Sequence, residues 1–303
     1  MTTGTTTGAA ALAFDVGGTT TRGGLVADGL LRGRLARPTA GGEALAEALA
    51  ALAAEVAVAA GLSPGDAPIG VSVPGPLSAD RRRVAFTGNV GLRDYPLADL
   101  LEAATGRPVV LDDDANCAAL AESRFGAARG TTSSVTLVVG TGVGSGIVLG
   151  GELYRGRHAL AGELGHIRVA PGGRLCSCGR RGCLEAMVNG ASLLERAGSG
   201  FATVAGVLAA AGGGDPRAGE ALGETAEYIA VGVAAAASLL DPDCIVLTGG
   251  IGRQRVVFAE VVARARALCI EPLDGLLDIR PAELGDDAGL LGAAALALEA
   301  EAA

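Results

Sequence analysis

Two stretches of this chain share one plan: LAFDVGGTTTRGGLVA at Leu12–Ala27 and SVTLVVGTGVGSGIVLGG at Ser134–Gly151. Each is an apolar strand, a turn of Gly and Thr, and an apolar strand that returns at once. Such an internal repeat predicts two related α/β halves, each opening on a glycine hairpin. Around them the pattern predicts strands at Pro68–Val73, Pro108–Leu111 and Asp243–Leu247. Helices are predicted at Gly42–Gly61, Leu97–Thr105, Ala115–Phe125 and Gly289–Glu299. In the first helix Leu45, Leu49, Leu52 and Val56 fall at helical spacing. The first ten residues, MTTGTTTGAA, are expected to be disordered.

The turns point to phosphate. Glycine lets a ligand approach the backbone closely, and a run of N–H groups in a turn forms an anion-binding concavity. Gly17, Gly18, Thr19 and Thr20 make the first turn, and Gly140, Thr141 and Gly142 the second. One such turn alone is also what a plain tight hairpin looks like. Two of them, with a third cluster at Thr248–Gly252 that includes Gly249 and Gly250, favour anion binding. A dinucleotide fingerprint does not fit, because a strand follows Gly140 where that motif needs a helix. Asp15 stands beside the first turn, where it would repel phosphate unless a cation such as Mg²⁺ intervened. An Asp capping its own turn is the local alternative.

Asp112, Asp113 and Asp114 follow the apolar run Pro108–Leu111. One of them is the natural N-cap of the next helix, which leaves two to explain. Phosphoryl transfer to a hydroxyl needs a phosphate cradle, Mg²⁺ and a carboxylate base. All three ingredients are in the sequence.

A separate segment, AGELGHIRVAPGGRLCSCGRRGCLE at Ala161–Glu185, holds one of two histidines and three of six cysteines. His166, Cys176, Cys178 and Cys183 make a complete tetrahedral set for structural zinc. With four places filled, Glu163 and Glu185 are left for another task. No signal peptide precedes the segment, so disulfides are not expected and a cytoplasmic location is. Cys117, Cys244 and Cys269 lie in apolar surroundings and read as small buried hydrophobes.

Composition closes several routes. A net charge of −9 offers no field for nucleic acid, and Arg81-Arg82-Arg83 reads as a solvated turn. All 24 basic residues are arginine, which excludes a Walker A loop and Schiff-base chemistry. The uncharged, Ala-rich run Tyr228–Leu240 is too short to cross a bilayer and reads as a buried helix. No membrane partner is expected.

Taken in order, DVGGTTTRGG, VPGP, DDDANCAALAE, GTGVGSGIVLGG, GELGH with CSCGRRGCLE, and LTGGIG resemble the ROK family of sugar kinases and sugar-responsive repressors. The likeness runs from about Leu12 to Gly292, and its most specific part is GELGH to CLE. It implies the actin-like, ribonuclease-H-like sugar kinase fold of duplicated α/β domains with a structural zinc site. The smaller domain is expected at 1–115 plus 289–303, and the larger, zinc-bearing one at 116–288. By the same likeness Asp114 is the base that deprotonates the sugar, and Asp15 the Mg²⁺–phosphate aspartate. Gly17, Gly18 and Thr19 form the first phosphate loop, Thr141 and Gly142 the second, and Gly249 and Gly250 the adenosine-side loop. Gly75, Asn89, Asp113, Glu163, His166 and Glu185 face the sugar. His166 is implied to bind zinc through one ring nitrogen and a sugar hydroxyl through the other. The cofactors implied are ATP, Mg²⁺ and Zn²⁺, and the assembly implied is a homodimer.

Two positions depart from the family pattern. Asp113 stands where an Asn is usual, and Val90-Gly91-Leu92 follows Asn89 where an aromatic is common. Both face the sugar, so substrate identity is less defined than reaction class. Glucose phosphorylation at the primary hydroxyl is the leading expectation, ahead of an N-acetylmannosamine or N-acetylglucosamine kinase. A non-catalytic sugar-binding protein and a polyphosphate-dependent kinase rank lower. A repressor is also disfavoured, because its DNA-binding domain would precede a hairpin that here begins at Leu12.

Overall fold

The computed structural model describes residues 9–62 and 67–302. Of the ten N-terminal residues expected to be disordered, the first eight lie outside the described residues, and Ala10 already begins the first strand. The chain divides into two compact units. One comprises the chain up to Phe125, Leu153–Ala161 and the segment from Asp286; the other comprises Gly126–Glu152 and Gly162–Gly285.

The first unit contains β1 (Ala10–Val16), β2 (Thr20–Ala27), β3 (Leu30–Pro38), β4 (Ile69–Val73), β5 (Val84–Thr87), β6 (Leu92–Tyr95) and β7 (Val109–Asp113). Five of them form a sheet in the order β3-β2-β1-β4-β7, and β5 and β6 pair separately. The central strands are apolar except near their C-terminal ends because helices pack on the sheet; Leu12, Phe14, Ile69, Val71 and Leu111 are all fully buried. Helix α1 (Leu45–Ala60) buries Leu45, Leu49, Leu52 and Val56, the expected stripe, and stops at Gly61 in the left-handed conformation. Helices α2 (Leu97–Thr105) and α3 (Asp114–Phe125) follow. An edge strand, β3, went unanticipated because its residues are mostly exposed and carry Arg32, Arg34 and Arg37.

The second unit repeats the plan. Its sheet comprises β8 (Ser134–Val139), β9 (Val143–Leu149), β10 (Glu152–Leu153, ending at the unit boundary), β11 (Cys244–Thr248) and β12 (Ile279–Pro281), in the order β10-β9-β8-β11-β12. In both sheets the first strand of an antiparallel hairpin also pairs in parallel with a later strand, β1 with β4 and β8 with β11. The duplication expected from the two glycine hairpins is thus present in the strand order. The helices are α4 (Leu184–Val188), α5 (Gly190–Ala197), α6 (Val204–Gly212), α7 (Pro216–Leu240), α8 (Gly249–Gly252), α9 (Arg255–Leu268) and α10 (Glu271–Asp274). Tyr228–Leu240 is the C-terminal half of α7, which starts at an Asp215 cap followed by Pro216. Among the described residues no helix is long and apolar enough to cross a membrane.

The expected domain break after residue 115 falls inside α3, which stays whole in the first unit. The C-terminal helix, Ala288–Ala302, explains why. Its Gly292 lies so close to α3 that a Cβ there would overlap the Cys117 carbonyl, and its Ala293 carbonyl rests on Gly70 of β4. Small residues let three backbones meet where side chains would hold them apart. Gly292→Ala is expected to lower unfolding free energy by about 1–3 kcal/mol through overpacking. A urea titration reads this, and an unchanged midpoint would contradict the close approach.

Candidate functional site

In the first unit the polar groups gather at one end of β1, β4 and β7. Asp15 is in register with Ser72, and Ser72 with Asp112. The Ser72 hydroxyl donates to Asp15 Oδ1 at 2.9 Å, and Arg22 Nη1 donates to Oδ2 at 3.3 Å. Burial pushes the Asp15 carboxyl above its ordinary 3.8, while Ser72 and Arg22 act against that rise. The C-terminal helix begins against it: a Cβ at Gly289 would stand 2.6 Å from Asp15 Cγ. Ser72 and Arg22 were not singled out from sequence. A serine inside the otherwise apolar run IGVSV was the available signal.

The turn after β1 is closed by Gly17 N–H donating to Thr20 O and by Thr39 Oγ1 donating to Gly17 O at 2.7 Å. Gly18 and Thr19 are exposed. A Cβ on Gly18 would lie 3.3 Å from Asn89 Cβ, so the first glycine turn and Asn89 are neighbours. Asn89 sits in the turn of the β5–β6 hairpin, and Gly75 backs directly onto that hairpin at Phe86 O.

The three aspartates separate by environment. Asp112 is buried. Asp113 Oδ1 accepts from Ala115 N at 3.0 Å and so caps α3. Asp114, the first residue of α3, is exposed. The arginine run is also more structured than a solvated turn. Arg81 faces Asp112, Arg82 binds Asp99 and Glu102, and Arg83 binds Asp94.

In the second unit the GELGH turn is seated on β9. A Cβ at Gly162 or Gly165 would overlap the Ser145 or Val143 carbonyl, and Ser145 Oγ donates to Gly162 O at 2.6 Å. That close seating is the physical reason for two glycines three residues apart. It leaves Glu163 half-exposed, with its Oε2 3.7 Å from His166 Nε2.

The other ring nitrogen, Nδ1, lies 3.6 Å from Cys176 Sγ, and Cys178 Sγ lies 3.6 Å from Cys183 Sγ. One ligand atom from each of His166, Cys176, Cys178 and Cys183 falls within 4.8 Å of the others. A tetrahedral zinc with bonds of about 2.3 Å sets its sulfurs about 3.8 Å apart, so this donor set fits the ion in chemistry and spacing. Burial, reinforced by the neighbouring thiols, pushes Cys183 up to about 12.

Glu185 joins this loop to the second glycine turn. Its Oε2 accepts from Val143 N at 3.1 Å and its Oε1 from Ser177 Oγ at 2.9 Å. Gly142 permits the approach, since a Cβ there would stand 2.8 Å from Oε2. The third glycine cluster meets the same turn: a Cβ on Gly140 would lie 3.6 Å from Gly250 N, and Gly249 adopts φ +85° against Val139. Thr141, at the tip, is exposed.

The ROK family profile matches residues 11–300. A glucokinase of Streptomyces coelicolor is 34% identical over 253 residues, covering 76% of this chain and 80% of its own. An N-acetylmannosamine kinase of Escherichia coli is 37% identical over 311 residues, covering 95% and 98%. Among solved structures, a ROK glucokinase from Streptomyces griseus in complex with glucose and AMPPNP is 33% identical. It superposes with a TM-score of 0.83 over 96% of this chain and 99% of that one. The chain belongs to the ROK family, within its ATP-dependent sugar kinases.

The seat of Asp15 yields a test. Gly289→Ala drives a methyl group into its carboxylate, and if Asp15 is the Mg²⁺–phosphate aspartate, turnover is expected to fall about tenfold or more, as misplaced groups near a reaction centre cost. Steady-state ADP release measures it; wild-type turnover in a folded variant would show that Asp15 tolerates displacement.

Proposed function

We propose that this kinase transfers the γ-phosphoryl group of ATP to the primary hydroxyl of a hexose, with glucose as the leading substrate and Asp114 as the general base. The observation that carries the reading is the separation of the three aspartates. Asp112 is buried, Asp113 caps the helix, and Asp114 is exposed where α3 begins. The Asp114 carboxylate takes the hydroxyl proton as the sugar oxygen bonds to the γ-phosphorus. The bond from that phosphorus to the β–γ bridging oxygen breaks, and ADP leaves with the electron pair.

Gly17, Gly18 and Thr19, with Thr141 and Gly142, offer N–H and hydroxyl donors to phosphate oxygens, and Gly249 and Gly250 serve the nucleoside side. Asp15 is a hard oxygen ligand for Mg²⁺, and its two oxygens retain acceptor capacity beyond Ser72 and Arg22. When bound, Mg²⁺ neutralises charge on the transferring group. Gly75, Asn89, Asp113, Glu163, His166 and Glu185 form the sugar-recognition set. His166, Cys176, Cys178 and Cys183 hold a structural zinc that stiffens the loop behind Glu163 and Glu185, with His166 Nε2 left for a sugar hydroxyl. A homodimer in the cytoplasm, where ATP is available and thiols stay reduced, completes the reading.

An N-acetylhexosamine kinase is the second reading. It is favoured by the 37% identity to an N-acetylmannosamine kinase along nearly the whole chain. An ADP-release screen over glucose, mannose, fructose, allose and the N-acetylated hexosamines separates the two.

On the best sugar, Asp114→Asn is expected to lower kcat by about 10²–10⁴-fold, the usual worth of a general base. Near-wild-type turnover would end the assignment. Elemental analysis of freshly purified protein is expected to find about one zinc per chain, and substoichiometric metal in folded protein would count against the zinc site.

A further inference from the structure

The proposed proton transfer at Asp114 and the capping by Asp113 leave Asp112 without a role, yet it is buried and met by several donors. Its side chain is only 3% exposed. Oδ1 accepts from Asp113 N at 2.9 Å and from Asn116 Nδ2 at 2.9 Å. These two donors lie on either side of Asp114 in the chain, so one oxygen brackets the residue that carries the base. Oδ2 accepts from Arg155 Nε at 2.6 Å, with Arg81 Nη1 farther off at 3.5 Å. Of the two arginines, the shorter contact makes Arg155 the principal charged partner of this buried carboxylate.

Arg155 is itself fixed. It stands at the neck of a loop closed by Ala161 N donating to Arg155 O at 3.0 Å. The loop turns through two positive-φ residues, Gly156 and Ala159. Its side chain is about a quarter exposed, and within the first unit it reaches 43 positions back along the chain to Asp112.

We propose that Asp112 and Arg155 form a positioning device for the β7–α3 junction. Arg155 holds the Asp112 carboxylate, which holds the Asp113 peptide and the first turn of α3, and thereby sets where the Asp114 carboxylate stands. Neither residue touches the reacting atoms. The functional half of this inference rests on the kinase reading above; the structural half does not.

The test uses the full-length protein and the variants Arg155→Gln, Arg155→Lys, Asp112→Asn and the double Asp112→Asn/Arg155→Gln. Arg82→Gln, which breaks only the pairs with Asp99 and Glu102, is the control. Arg155→Gln is expected to lower kcat about 10- to 100-fold while the KM values for sugar and ATP move less than about twofold, the pattern of a displaced base rather than of lost binding. Lys keeps the charge but not the Nε geometry, so Arg155→Lys recovers part of the loss. The double variant is expected to be no slower than the worse single one, because both changes break one link.

Hydrogen exchange followed by mass spectrometry over the peptide spanning residues 109–125 should show faster exchange in Arg155→Gln and not in Arg82→Gln. Unchanged kcat, a loss confined to KM, or losses that multiply in the double variant would overturn the positioning role. If the wild type turns over no hexose, the kinase reading fails, and the exchange data alone judge the clamp: unaltered protection in Arg155→Gln sinks it. Should Arg155→Gln not fold, the near-isosteric Asp112→Asn carries both measurements, with the same outcomes deciding.

Discussion

Asp15, Ser72 and Asp112 form one row across β1, β4 and β7, and this row is the constraint on which the first unit depends. Neighbours in register on parallel strands point to the same face. The sheet therefore brings two carboxylates and a hydroxyl to one side of strands that are otherwise apolar. Carboxylates so placed would be expelled or protonated unless donors met them. Each is met differently: Asp15 by Ser72 and Arg22, and Asp112 by Arg155, Asn116 and a backbone N–H. Once Asp112 is satisfied internally, Asp113 closes the helix end and Asp114 opens to solvent. Three adjacent carboxylates are tolerated because each stands in a different environment: one buried and paired, one at a helix cap, one exposed.

Close backbone approach is the second theme, and it does for shape what the polar row does for charge. Gly292 and Gly70 let the C-terminal helix settle on α3 and β4, and Gly289 sets its first turn against Asp15. In the second unit Gly162 and Gly165 press the GELGH turn onto β9, while Gly142 admits Glu185 to the glycine turn beside it. Glu185 accepts from that turn's Val143 N–H and from Ser177 inside the cysteine loop. The segment that carries the candidate metal ligands and the turn read as a phosphate loop are thus tied through one carboxylate. Zinc in the cluster would stiffen both at once.

Much of this was legible in the sequence because the signals were local. The two hairpins announced the duplication, the α1 stripe named its own buried face, and the His–Cys spacing placed four donors that the fold does bring together. What stayed hidden depended on distance along the chain or on exposure. β3 lacks apolar alternation because it is an edge strand. The arginines at 81–83 looked solvated because their partners, Asp112, Asp99, Glu102 and Asp94, come from other elements. Arg155 carried no motif at all, and only folding shows that it meets Asp112.

If Asp113 faces the sugar as proposed, its chemistry bears on which sugar fits. An Asn in its place could cap α3 through its oxygen and still present an N–H₂ group; an ionised Asp can only accept. A sugar hydroxyl adapts to that change, because its proton rotates to donate where it formerly accepted. An N-acetyl carbonyl does not adapt, since it has no proton to offer and would face a carboxylate oxygen at the cost of an unpaired acceptor. On that placement, Asp113 favours a plain hydroxyl over an acceptor at this position, the preference the glucose reading requires. It weighs against an acetamido oxygen there, though not against an acetamido N–H.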